Sequence, residues 1–321
     1  MKQVRERSML KKIKNRLGSS SALILVLILL CIIFQLKNPL FFTFDNVIAV
    51  LRQLSIYGVV GIGMGVLLLN GYLDLTVGSI VGFCGVLVAM LMTQFGFPVW
   101  AAIILTLLAG AAIGAFNGTV ITVTGIPPFI FTLAMTAAYR GIIYLITGGK
   151  TISGFSDGFL AIGRKSLLKI PVPVIIFFIV LFIVWFILNK TTFGRSVYIC
   201  GGNPMAARYS GLNVKRTAII SYAICGMTAA IAGIILASKL ASAQPTLGNS
   251  YEMEAISVAA IGGISLAGGV GSITGVLLGA LILGVIDNGM IMMGITSYWQ
   301  MVVKGVVIVA AVIFDIYRKN K

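Results

Sequence analysis

The sequence predicts an all-α membrane protein with about ten transmembrane helices, and three observations support this. Hydrophobic residues fill 59% of 321 positions and charged residues only 10%, against about a quarter charged in soluble proteins. Apolar runs recur along the chain at the length of roughly 17 to 25 residues that a helix needs to cross a bilayer. Glycine occupies 38 positions, and many of them lie inside those runs.

The apolar runs follow one another from one end of the chain to the other. They cover residues 20–36, 47–69, 76–93, 99–118, 127–147, 171–189, 216–237, 252–268, 272–293 and 298–316. Glycines at four-residue spacing lie within several runs, such as Gly61 with Gly65 and Gly110 with Gly114. Because this spacing lets helix backbones approach closely in lipid, it predicts a tightly packed, glycine-rich bundle.

Basic residues are concentrated in three segments. Of 24 Lys and Arg residues, seven lie in residues 1–16, five in 190–216 and three in 318–321, so the positive-inside rule places these segments in the cytoplasm. Ten crossings that start inside also end inside, with both termini cytoplasmic. The predicted organisation is a basic tail (1–18), a transmembrane domain (19–317) with a cytoplasmic loop (190–216), and a second tail (318–321). The positive charge thus reports topology and does not predict nucleic-acid binding.

The sequence offers nothing typical of an enzyme or a metalloprotein. Histidine is absent, which excludes His-based triads, imidazole metal ligands and His proton relays. The four cysteines have no spacing typical of a disulfide framework or a zinc site. The segment Gly148 to Thr151 ends like a phosphate-binding loop, but Tyr144 stands where that loop requires glycine. We predict no metal, no cofactor and no ATP hydrolysis by this chain alone.

A polar segment separates the second and third apolar runs. Residues 70–79 contain Asp74, one of only eight acidic residues. Ionisable groups at membrane depth are costly and usually line an aqueous path, and glycine-interrupted helices flank such paths in transporters. We therefore predict that Asn70 and Asp74 line a translocation path. A cytoplasmic turn in which Asp74 caps the next helix would explain the same residues.

The cytoplasmic loop 190–216, here called the island, contains the signals of a short helix. Asn203 suits the N-cap, Pro204 the first helical position and Gly211 the position just past the end. Since an isolated helix of two turns is unstable in water, an external partner is expected to pack on it. The residues predicted to form this contact are Gly202, Asn203, Pro204, Ala206, Ala207, Arg208, Ser210 and Gly211. A capped loop resting on lipid headgroups is the alternative.

Residues 244–254 are predicted to be an outer loop that leads into the eighth run. Pro245 and Gly248 favour a turn, and Glu252 and Glu254 lie where a helix N-terminus favours negative charge. That structural role is sufficient to explain the carboxylates, and a functional role is the alternative.

Four polar residues of the last third are further candidates for the path. Each carries groups able to hydrogen-bond to or stack on a polar solute: Gln244, Asn288, Tyr298 and Gln300. Anchoring at the membrane interface is an equal explanation for Tyr298 and its neighbour Trp299.

Several motifs together resemble one transporter family. In chain order they are Gly71 to Ser79, Pro127-Pro128-Phe129, Gly201 to Gly211, Ser242 to Pro245 with Tyr251 to Ile256, Gly262-Gly263 to Gly271, and Tyr298-Trp299-Gln300. Over essentially its whole length the chain resembles the permease subunits of bacterial ribose, galactose and xylose ABC importers. One departure is Gly71-Tyr72-Leu73, where the family usually has Gly-Gly-Ile, so Tyr72 adds bulk beside Asp74.

This resemblance implies a location, partners and a mechanism. The location is the bacterial inner membrane, and the partners are a cytoplasmic ABC ATP-binding subunit, an extracytoplasmic sugar-binding protein and a second permease in a homodimer or heterodimer. The segment Asn203 to Ser210 matches the family's coupling helix, on which the ATPase docks. The expected function is import of a simple sugar by alternating access.

The residues by themselves leave a second function open. A secondary transporter or facilitator for a small polar solute would need no ATPase, with Asp74 as the main candidate for proton coupling. The missing histidines and scarce membrane acids argue against proton coupling.

One outer loop disagrees with the positive-inside rule. In the ten-span topology, residues 147–170 lie outside although they carry Lys150, Arg164, Lys165 and Lys169. Given the resemblance, we predict that Lys150, Arg164 and Lys165, with the carboxylates of the loop 244–254, receive the binding protein. A loop merely tolerated because the inner clusters determine orientation is the alternative.

Overall fold

The computed structural model describes residue 21 and residues 23–319, and it is mostly helical. The helices are α1 (Leu23–Lys37), α2 (Phe44–Leu69), α3 (Val77–Thr93), α4 (Val99–Thr124), α5 (Pro128–Thr147), α6 (Asp157–Arg164), α7 (Val172–Lys190), α8 (Thr192–Gly202), α9 (Pro204–Tyr209), α10 (Val214–Leu240), α11 (Tyr251–Ile261), α12 (Gly275–Met292) and α13 (Ser297–Lys319). The strands, of two residues each, are β1 (Ile152–Ser153), β2 (Ser166–Leu167), β3 (Ile170–Pro171) and β4 (Ser242–Ala243). The tails 1–18 and 320–321 lie outside the described residues.

Each predicted apolar run coincides with a helix, but the helices are not all spans. Within the described part of the chain, α2, α4, α5, α7, α10 and α12 are long and apolar enough to cross a membrane, and α1 and α3 are shorter apolar helices. The prediction of a continuous span over 252–268 is wrong. Helix α11 has 11 residues, or about 16 Å, against a hydrocarbon thickness of about 30 Å.

The core of the bundle is built around α2 and α10. Every residue of α2 from Leu54 to Leu69 is buried, and α10 is buried over most of its length. Helices α4 and α5 lie outside them and expose large apolar side chains, such as Trp100 and Leu145. Apolar surface on the outer helices is what contact with lipid requires.

Glycine permits the closest helix contact, as the spacing predicts. Gly110 and Gly114 of α4 face Gly226 of α10, and a Cβ atom on Gly110 would lie 2.6 Å from the carbonyl oxygen of Gly226. A Cβ on Gly114 would collide with the carbonyl group of Tyr222. Backbone therefore packs directly on backbone between α4 and α10.

Two small strand pairs organise the loops at one end of the bundle. Strand β1, which follows α5, pairs antiparallel with β4, which follows α10. Strands β2 and β3 pair with each other after α6. Since β1 joins β4, the loops after α5 and α10 lie on the same side of the bundle, as the ten-span topology requires.

We predict that Gly114→Ala destabilises the protein while Gly141→Ala does not. The added methyl at position 114 has no room against α10, and overpacking costs about 1–3 kcal/mol. At position 141, also within a helix, a Cβ meets nothing within 4 Å, so alanine adds only helix propensity, roughly 0.5–1 kcal/mol. The melting temperature of each variant is measured by thermal unfolding in detergent. Equal melting temperatures for Gly114→Ala and Gly141→Ala would contradict the packing argument.

Candidate translocation and coupling site

The island folds into two short helices with the predicted caps. The Thr191 hydroxyl accepts a hydrogen bond from the amide of Gly194 at 3.2 Å, which starts α8. Asn203 Oδ1 accepts from the amide of Ala206 at 3.0 Å, and Pro204 opens α9. Gly211 ends the segment with φ of 79°. The predicted N-cap, first helical residue and terminal glycine are thus confirmed.

The chain itself holds α9 in place, through a contact that the sequence did not predict. Ala207 is fully buried and packs with Cys200 of α8, Val214 of α10 and Leu212 between them. Burial raises the pKa of the Cys200 thiol, so the thiol stays protonated in this contact. Ala207 therefore faces inward and is not available to a partner in this structure.

The opposite face of α9 is open. Met205 is 60% exposed and Tyr209 is 86% exposed. The remaining residues of the predicted contact set are exposed too: Gly202, Asn203, Pro204, Ala206, Arg208, Ser210 and Gly211. The island thus presents a preformed helix with apolar side chains and basic Arg208 on its surface.

Asp74 lies in a non-helical break between α2 and α3 and is fully buried. Its Oδ1 accepts from the amide of Thr76 at 2.8 Å and from the Thr76 hydroxyl. Asn117 donates to that hydroxyl at 3.0 Å, and the Tyr139 hydroxyl donates to Asn117 at 2.6 Å. A continuous polar network therefore ties the break to α4 and α5. Asp74 does form the turn before α3, but inside the protein and not at its surface.

The other side of the break is held by α10. Asn70 is buried, and its amide donates to Ser221 at 3.3 Å. The Tyr222 hydroxyl donates to the carbonyl oxygen of Leu73 at 3.0 Å. The Tyr72 ring, the bulk that departs from the family pattern, packs edge-on against Tyr222 with ring centroids 5.9 Å apart.

Arg140 of α5 clamps the loop 244–250 against α3, and sequence reasoning did not single it out. Its guanidinium donates to the carbonyl oxygens of Pro245 at 3.1 Å and Leu247 at 2.6 Å, and to that of Gly78 at 3.0 Å. Partly buried Glu252 lies nearby. An arginine alone within an apolar run was the available signal, since such a charge needs polar partners.

A buried charge cluster joins α11, α12 and α13. Lys304 forms ion pairs with Glu254 and, at 2.9 Å, with Asp287. The ammonium lies 5.5 Å from the centre of the Tyr57 ring. Glu254 is only 6% exposed, so its prediction as a docking residue on an outer loop is wrong. Asp287 and Lys304 were missed, although both are ionisable residues within predicted spans.

Two further path candidates have structural partners. Asn288 exchanges side-chain hydrogen bonds with Asn46 at 2.8 and 3.0 Å, joining α12 to α2. Gln300 donates to the carbonyl oxygen of Ile295 at 3.1 Å. Tyr298 is 81% exposed beside exposed Trp299, which favours the interfacial alternative. Gln244 is exposed beside β4. The structure therefore does not bring these four residues into the Asp74 network.

The basic loop after α5 is exposed and ordered by α6. Phe159 of α6 is fully buried, and the amide of Gly163 donates to Ser238 of α10 at 2.7 Å. Arg164 donates to the carbonyl oxygen of Lys239 at 3.0 Å. Lys150 and Lys165 are exposed.

These features are typical of a membrane transport protein. Among the described residues, no group of three or more His, Cys, Asp or Glu side chains could hold a metal ion. Polar groups are instead placed at breaks in apolar helices, which is where transporters place them.

The comparisons with known proteins identify the family. The family described as branched-chain amino acid transport system / permease component matches residues 46–312, and the chain belongs to it. It is 41% identical to ribose import permease protein RbsC of Escherichia coli K12 over 310 residues, covering 94% of this chain and 95% of that protein. Identity to RbsC of Bacillus subtilis is 43%, covering 90% of each chain. Identity to the xylose transport system permease protein XylH of Escherichia coli K12 is 36%, covering 86% of each. No solved structure matches the chain.

We predict that Lys304→Met is strongly destabilising, by about 3–5 kcal/mol, because it leaves two buried carboxylates without a counter-charge. The control is the triple variant Glu254→Gln, Asp287→Asn, Lys304→Met, which removes all three charges and should recover most of the loss. The melting temperature in detergent should rank wild type above the triple variant and the triple variant above Lys304→Met. A single variant as stable as wild type would contradict a buried cluster.

Proposed function

We propose that the chain is the transmembrane permease subunit of an ATP-driven importer that moves a monosaccharide such as ribose or xylose into the cytoplasm. The family description refers to amino acids, but the relatives at 36–43% identity are named for ribose, allose and xylose. Since they cover 86–95% of the chain and of their own lengths, they favour a sugar. They also favour the importer over the secondary transporter.

The proposed location is the bacterial inner membrane, with ten crossings. The eighth crossing would consist of the half-helix α11 and the loop 262–274. This loop supports the proposal because the amide of Gly269 donates to the carbonyl oxygen of Leu69, the last residue of α2, at 2.9 Å. A crossing completed by irregular backbone is tolerated where protein surrounds it.

The exposed face of α9 is the observation that most directly supports an ATP-driven importer. Its exposed Met205 and Tyr209 lie in a loop that the positive-inside rule predicts to be cytoplasmic, the side on which an ATP-binding subunit would dock. The helix is capped and anchored through Ala207 before any partner arrives, so little ordering entropy would be lost on docking. We propose that a cytoplasmic ABC ATP-binding subunit covers this face.

The proposed mechanism is alternating access, in which ATP binding and release on the partner shift the population of inward-open and outward-open states. The breaks at 70–76 and 262–274 are the proposed moving parts, since they are where the helices are interrupted. Asn70 and Asp74 remain the proposed path residues. Asp74 Oδ2 is buried and has no hydrogen-bond partner among the described residues, so we propose that it accepts a hydrogen bond from a solute when the break opens.

The other proposed partners are an extracytoplasmic sugar-binding protein and a second permease, as a homodimer or heterodimer. The exposed lysines at 150 and 165 support a docking surface for an acidic protein, because rim charges chiefly accelerate and orient encounter. Arg164 is tied to α10 and contributes to holding that surface.

The docking proposal predicts that the double variant Met205→Glu, Tyr209→Glu no longer co-purifies with the ATPase and no longer transports sugar. Two buried negative charges would oppose the interface, whereas the inner face with Ala207 is untouched. Leu168→Glu is the matched control, because Leu168 is 89% exposed but lies in the loop between β2 and β3. The ATPase should co-purify with the Leu168→Glu variant as it does with the wild type. A double variant that retains both ATPase and transport would overturn the docking proposal.

The outer-surface proposal predicts that Lys150→Glu with Lys165→Glu lowers the association rate of the binding protein and weakens its salt dependence. Like charges would then face an acidic partner, and salt screens such long-range effects. Lys37→Glu reverses the charge of an exposed lysine outside this loop and shows the effect of a charge reversal elsewhere on the protein. Stopped-flow association measures both, and an unchanged rate and salt slope would exclude the loop as a docking surface.

A further inference from the structure

Five glycines from three separate segments, one of which is the island, are in contact with one another. We call them the glycine junction: Gly71 after α2, Gly201 and Gly202 at the end of α8, and Gly268 and Gly269 in the loop before α12. The contacts are between backbones. A Cβ on Gly268 would lie 2.6 Å from the carbonyl oxygen of Gly201 and 2.9 Å from Cα of Gly71. A Cβ on Gly269 would lie 2.5 Å from Cα of Gly202.

One hydrogen bond fastens this junction. The amide of Gly269 donates to the carbonyl oxygen of Leu69 at 2.9 Å, so the loop 262–274 is bound to the residue that precedes the first break. Gly71, Gly268 and Gly269 have φ values of 78°, 85° and 71°. Residues with a Cβ rarely adopt such values, so the conformation of both breaks depends on glycine here.

The junction connects the two breaks with the island through direct backbone contacts. Gly201 and Gly202 immediately precede Asn203, the N-cap of α9. Gly71 is three residues before Asp74, and Gly269 lies in the chain between α11 and α12. Because no side chain fills the contact, no rotamer change can absorb a displacement, and close-packed elements transmit strain.

We infer that the glycine junction passes movement of the island to both breaks at once, and so couples nucleotide-driven motion of the partner to opening of the path. The inference rests on the proposed function of α9 as the ATPase docking helix. A displacement of α8 and α9 shifts Gly201 and Gly202, which bear directly on Gly268 and Gly269. Gly268 and Gly269 belong to the second break, and the hydrogen bond from Gly269 to Leu69 links them to the first break.

The test compares two glycines of the same loop. Gly263 has φ of 81°, and a Cβ there meets nothing within 4 Å. Gly263→Ala therefore carries the same backbone strain as Gly269→Ala without the clash at the junction. Each variant is purified with its ATPase, and uptake of radiolabelled ribose into liposomes is measured with the binding protein, together with ATP hydrolysis.

For Gly269→Ala we expect the ATPase to co-purify and to hydrolyse ATP, while ribose transported per ATP falls at least tenfold. Gly263→Ala should keep a ratio within about twofold of wild type. An unchanged ratio in Gly269→Ala, or an equal loss in both variants, overturns the inference. If wild-type permease binds no ATPase, the proposed function fails first, which is a distinguishable result.

A milder variant decides the matter if Gly269→Ala does not fold. A Cβ on Gly71 would make only an ordinary contact, 3.6 Å from Cα of Gly201, so Gly71→Ala perturbs the junction through the backbone strain of its φ of 78° and not through a collision. We expect its ribose-to-ATP ratio to fall at least threefold below that of Gly263→Ala. An equal ratio in these two variants overturns the inference.

Discussion

The rest of this structure depends on the need of every backbone amide and carbonyl group in a hydrocarbon layer to find a partner within the protein. Continuous helices meet this need by themselves, but the chain interrupts its helices at 70–76 and at 262–274. Both interruptions are tied to neighbouring parts of the protein by hydrogen bonds. The first is held by Tyr222 and by the Asp74 network, and the second by the bond from Gly269 to Leu69.

The same contacts determine which parts can move together. The Asp74 network reaches α4 and α5 through Asn117 and Tyr139, whereas the glycine junction reaches the island. Lys304 binds α13 to α11 and α12, the two helices that flank the second break. The breaks are thus irregular segments that are nevertheless bonded to several helices, which is the combination that a rocking or gating transporter requires.

The sequence predicted what short-range rules determine. Apolar length located the helices, and cap chemistry located α9, because both depend on neighbouring residues. The pairing of Lys304 with Glu254 and Asp287 could not be predicted, since it joins residues far apart in the chain and leaves no periodic pattern. Ala207 was expected to face a partner. Its burial by Cys200 and Val214 could not be predicted, because it also depends on tertiary packing. The length of α11 was overestimated because an apolar run does not reveal where glycine ends the helix.

Hydrogen–deuterium exchange of the permease with its ATPase tests most directly whether the breaks form one unit with the island. The account predicts that adding non-hydrolysable ATP changes exchange in the peptides covering 70–76 and 262–274 together with that of 190–216, and leaves the loop 148–156 unchanged. Gly269→Ala should remove the response of both breaks while the island still responds. Exchange that changes in the island alone in the wild-type complex would contradict the account.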